Sequence, residues 1–133
     1  MRRKLLPALL LMPMLAFATY FSEGMRAYKQ GDYITAKASF ERAIKQEGSK
    51  QANFFLGILY LKGLGVKQNI QTAKRFLAEA VKIGNMRAKC YLAEAYLLQK
   101  NPNKKMAIKL LKEGNGAGAT ECAAIAAKYK IPL

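Results

Sequence analysis

The chain has 133 residues, with 23 Lys and Arg against 8 Asp and Glu, two Cys and no His. That length supports one small domain, and the absence of His excludes a His-dependent triad and a His-containing metal site. One Asp and seven singly scattered Glu supply no carboxylate pair for acid–base work, while a formal charge of +15 points to acidic partners instead.

The N-terminus is built differently from the rest. Arg2, Arg3 and Lys4 precede an apolar stretch, Leu5 to Leu15, that is interrupted by Pro7 and Pro13; Ala16-Phe17-Ala18 then offers a small-x-small cleavage site before Thr19. This order of parts reads as a secretory signal peptide over residues 1–18. As an uncleaved anchor, the apolar run Leu5 to Phe21 contains two prolines and barely reaches the ~20 residues of a spanning helix. Cleavage is therefore expected, with a periplasmic or secreted mature chain of residues 19–133 whose 20 basic and 8 acidic side chains give +12. No cysteine stands at the cleavage site to carry a lipid.

From residue 20 onward the pattern predicts helical hairpins over about 20–47, 50–85 and 86–114, followed by a capping helix over 117–130. Small and aromatic residues mark the first, at Gly24, Tyr28, Gly31, Tyr33, Ala36, Phe40 and Ala43. The second and third repeat one another. Ala52, Leu56, Gly57 and Tyr60 align with Ala88, Leu92, Ala93 and Tyr96 at an offset of 36, and Ala73, Phe76 and Leu77 align with Ala107, Leu110 and Leu111 at an offset of 34. A period of this size marks a stack of helix pairs in which neighbours bury what one pair cannot. Gly57, Ala73, Ala80 and Ala93 suit close helix approach, and Leu56, Tyr60, Phe76 and Leu77 suit the space between helices. In the last stretch, Ile125, Ala126 and Tyr129 echo Leu92, Ala93 and Tyr96 with no second helix following, hence a cap.

At Ala52, Leu56-Gly57 and Tyr60, then Gly63-Leu-Gly65-Val66, then Ala73, Phe76 and Ala80, the chain resembles the Sel-1-like repeat family of the tetratricopeptide superfamily. The first hairpin resembles a plain tetratricopeptide unit. The third departs from the pattern, because LLQKNPNKKM replaces the glycine loop. The resemblance implies an all-α, right-handed superhelical solenoid of about three hairpins plus the cap. It also implies that first helices line a concave groove for peptides or partner proteins.

Other motifs have structural readings. Gly63-Leu-Gly65 follows no strand and precedes no Gly-Lys-Ser/Thr, so loop geometry explains it better than phosphate binding. Gly114-Asn115-Gly116-Ala117-Gly118 reads as a flexible connection into the cap. Cys90 and Cys122 lie 32 residues apart, near one repeat, which places both on first helices of adjacent units. A disulfide between them suits an oxidising compartment and requires Cα atoms within about 7 Å; the alternative is two buried thiols at a helix interface.

Two surfaces are candidates for partner binding. Lys100, Lys104, Lys105, Lys109 and Lys112 fall within thirteen residues with no acid among them, and Lys105, Lys109 and Lys112 share one helical face. Such a run is either a solvated face or an electrostatic attractant for an acidic envelope protein, anionic lipid or cell-wall polymer. Export and the lack of interleaved aromatic residues argue against nucleic acid. Phe55 and Tyr91, each flanking a core leucine, are the aromatic candidates for the concave groove.

Together these readings describe a non-enzymatic periplasmic protein–protein adaptor with no cofactor and no bound metal. By family resemblance it supports an envelope machine such as a type IV pilus or secretion system in a bacterium. The alternatives are a module that binds cell-wall polymer or anionic lipid through the lysines, and an inhibitor or regulator of an envelope hydrolase.

Overall fold

Polar side chains at fixed offsets start the helices. In the computed structural model, which describes residues 19–133, the Asp32 carboxylate accepts from Thr35 N at 3.2 Å, Asn69 Oδ1 from Thr72 N at 3.0 Å, Asn85 Oδ1 from Ala88 N at 3.1 Å, and Asn103 Oδ1 from Met106 N at 3.0 Å. Each satisfies an amide that the first helical turn leaves unpaired. The helices are α1 (Tyr20–Lys29), α2 (Tyr33–Glu47), α3 (Ala52–Lys62), α4 (Ile70–Lys82), α5 (Met86–Leu98), α6 (Lys104–Gly116) and α7 (Thr120–Lys128). The fold is all-α among the described residues. The signal-peptide reading of residues 1–18 lies outside them.

Each helix packs on the next in the chain; α7 also packs on α5, and α3 touches α5. The aligned small residues sit at these contacts. Ala52, Leu56, Ala73, Leu77, Ala88, Ala93, Ala107 and Leu111 are all fully buried. One buried cluster joins α1, α2 and α3 around Phe40 and Leu56, and a second runs from α3 to α7 around Leu77, Leu111 and Cys122. Phe55 and Tyr28 pack against both. None of the described helices is long and apolar enough to cross a membrane.

The two aligned loops close in the same way despite different sequences. Asn69 N donates to Tyr60 O at 2.9 Å after the glycine loop, and Asn103 N donates to Tyr96 O at 3.0 Å after the segment that replaces it. What both loops keep is a tyrosine at the end of one helix and an asparagine that caps the next. Gly65 has φ +65°, and a Cβ there would lie 2.5 Å from Tyr33 C, so the first loop rests directly on the start of α2. Loop packing, not ligand geometry, accounts for that glycine.

The 114–118 segment differs from expectation. Helix α6 runs through Gly116, so Gly114 is a buried helical residue and not part of a flexible connection. The turn shrinks to Ala117, Gly118 and Ala119, with Ala119 N donating to Gly114 O at 2.9 Å. The last helix starts at Thr120.

Candidate functional site

Helices α3, α5 and α7 bring aromatic rings and charges to one surface. Tyr91 on α5 is half-buried; its ring centroid lies 5.8 Å from that of Phe54, and Lys62 Nζ stands 5.4 Å above it. Arg87 covers the Phe54 ring at 5.0 Å. Cation–aromatic contacts of this kind hold long side chains over a ring while leaving the charged head reachable. Beside them Lys62, Tyr91, Glu94, Glu121, Ile125 and Lys128 line a depression of about 220 Å³.

Two ion pairs tie α5 to α7 across this surface. Arg87 bonds Glu121, and Lys128 Nζ donates to Glu94 Oε1 at 2.8 Å, with the Tyr129 hydroxyl donating to the same oxygen at 3.2 Å. Glu94 is only 5% exposed, so these two donors compensate a carboxylate taken out of water. The bond to Glu94 raises the Lys128 pKa and keeps the ammonium charged. Burial raises the hydroxyls of Tyr28, Tyr91 and Tyr129, which stay protonated at neutral pH.

Phe55, the other aromatic candidate, stands in a ring cluster. It stacks on Phe40 at 5.1 Å and meets Phe21, Tyr28 and Phe54 edge-on at 6.0, 5.5 and 5.1 Å. It is partly exposed yet contributes to the packing of both clusters. Tyr91, by contrast, meets only the Phe54 ring among the described residues.

The lysines lie elsewhere. Lys104, Lys105, Lys109 and Lys112 are on α6 and Lys100 is in the loop before it; all five are exposed, and none has an ion-pair partner among the described residues. Glu113 follows the run but accepts from Lys89 Nζ on α5 at 2.9 Å, and that bond holds its carboxyl below the ordinary carboxylate range. Its carboxylate also lies within electrostatic reach of Lys109, one helical turn back in the run.

Cys90 and Cys122 are bonded, with Cα atoms 4.6 Å apart, and both are fully buried. The bond fastens α7 to α5 under Gly114, where a Cβ would collide with the Cys122 sulfur and come within 3.2 Å of Cys90 Sγ. Among the described residues no three His, Cys, Asp or Glu side chains gather as a metal site would require. No family model matches the chain.

Lys62, Arg87, Glu94, Glu121 and Lys128 were not singled out from sequence. A signal for four of them existed: Arg87 and Glu121, and likewise Glu94 and Lys128, are opposite charges 34 residues apart. Helix α7 packs on α5, and a spacing close to the sequence period brings those charges opposite each other.

Proposed function

We propose that this chain is a small exported adaptor of the Sel-1-like or tetratricopeptide-like kind, a right-handed solenoid of three helix pairs and a cap. It holds a protein partner against its first helices, and its place is the periplasm, where it supports assembly or stability of an envelope machine. The observation that carries this reading is the α3–α5–α7 surface, where Tyr91, with Lys62 above its ring, lines a shallow depression and Arg87 covers the buried ring of Phe54. Aromatic residues and arginine are the groups that dominate protein interfaces, because each removes a large apolar face from water while keeping a polar edge. The sequential packing of α1 to α7 and the recurrence of buried residues one period apart support the solenoid.

A second reading rests on the five unpaired lysines of the α6 region. They form a surface for anionic polymer or lipid headgroups that requires no groove.

Crosslinked capture from native envelopes, with the processed chain as bait, tests the adaptor. A single specific protein partner is expected, and Tyr91→Ala should speed its dissociation about tenfold or more, as loss of an aromatic anchor does. Capture of cell-wall fragments only, or a partner indifferent to Tyr91, would move the contact to the lysines.

A further inference from the structure

A separate cleft lies where α5, α6 and the C-terminal tail meet. Leu97, Pro102, Ile108, Tyr129, Ile131 and Pro132 line its walls, Lys104 and Lys130 stand at its edge, and its volume is about 440 Å³. Pockets that hold small molecules have this size and this mostly apolar lining with a few placed polar groups. Unlike the depression beside Tyr91, it has no Asp or Glu side chain in its lining.

One of these lysines is held in a disfavoured backbone conformation and the other stands at a helix start. Lys130 has φ +55° and is the one non-glycine residue with positive φ among the described residues. It ends α7 in the left-handed conformation, with Ile131 N donating to Ala126 O at 2.8 Å. Glycine is the residue that takes this conformation without strain, and glycines take it after α1, α2, α3, α4 and α6. Lys104 opens α6, whose first turn contains no acid, so its ammonium stands at the positive end of the helix dipole. Among the described residues neither lysine has an ion-pair partner. Both lysines line one mostly apolar cleft.

We propose that this cleft binds a single-chain anionic amphiphile, its aliphatic chain against Leu97, Ile108 and Ile131 and its carboxylate or phosphate between Lys104 and Lys130. An anion there relieves the repulsion between Lys104 and the helix end and uses the dipole as well. The lining selects an alkyl chain over a peptide. Its side chains offer aliphatic carbon, two prolines and a tyrosine whose hydroxyl is already donated to Glu94. Peptide amides laid against those walls would lose water without gaining partners.

Calorimetric titration of the purified protein with decanoate, and with neutral decanol as the control, tests the assignment. Decanoate should bind saturably and shift the methyl resonances of Ile108 and Ile131. Lys104→Gln and Lys130→Gly should each weaken it about threefold, the scale of one exposed ionic contact, and decanol should bind about tenfold weaker than decanoate. Lys130→Gly relieves backbone strain, so it should melt no lower than the parent while binding less. Equal affinity for the two probes, decanoate binding undiminished in Lys130→Gly, or a lower melting point in that variant would overturn the proposal. Binding through these residues only to phosphatidylglycerol vesicles, or only to a leucine peptide flanked by glutamates, would overturn it too and assign the cleft to a membrane surface or a protein segment.

Discussion

A Cβ added at Gly57 would lie 2.6 Å from Leu77 Cγ and 2.7 Å from Leu77 Cδ2, with the Leu77 backbone N at 3.3 Å. The side chain can rotate away from a methyl group but the backbone of α4 cannot, so Gly57→Leu must separate α3 from α4. Overpacking of this kind costs about 1–3 kcal/mol. A melting temperature lowered by several degrees is expected, and a thermal melt that leaves it unchanged would show that this contact yields. Gly57 was legible in the sequence because the repeat aligns it with Ala93, which is also fully buried. Gly114 was not, although it stands 34 residues after the fully buried Ala80 and at the same kind of helix contact. Its neighbours Gly116 and Gly118 made the run resemble a linker, and glycine content alone does not distinguish backbone freedom from the absence of a side chain at a close approach.

Helices were the most legible level, since small residues at a period near 34 mark their faces; the Asp and Asn caps that start four of them went unread in the sequence. The α6–α7 boundary was less so, for the reason just given at Gly114. Helix α7 has nine residues, too few to hold a helix alone, so it depends on its packing against α5 and α6. Two ion pairs and the Cys90–Cys122 bond provide that attachment to α5. Linking residues 32 apart stabilises a fold by about 3–4 kcal/mol in the chain-entropy account. Reductant, or the paired substitution Cys90→Ala with Cys122→Ala, should therefore lower the melting temperature visibly, with α7 amides losing hydrogen-exchange protection before those of α3. Two titratable thiols in the unreduced protein, or a melt indifferent to reductant, would remove the bond from the account.

At the scale of the molecule, the candidate surfaces divide between helices: aromatic rings on α3 and α5, lysines on α6 and its preceding loop. The lysine run was legible because it is contiguous in sequence, whereas the charges around Tyr91 come from three helices and meet only through stacking. The structure also separates the two aromatic candidates as probes. Phe55→Ala would remove a ring packed against four others and destabilise the fold, by less than the ~3–5 kcal/mol of a fully buried Phe, so a binding defect in that variant would have two causes. Tyr91→Ala is the cleaner substitution. The lysines make a different kind of contribution, because exposed charges steer encounter more than they hold a complex. Reversing Lys105, Lys109 and Lys112 to Glu should slow association with the captured partner severalfold, with dissociation little changed and stability altered by less than about 0.5 kcal/mol per site. The association rate of the parent should also fall as salt rises through about 0.1 M, where the screening length is about 10 Å, while that of the reversed variant should not. Stopped-flow association and surface dissociation measured across that salt range separate the two surfaces. Salt-independent association in the parent would leave the lysine run as a solvated face and leave the α3–α5–α7 surface to bind alone.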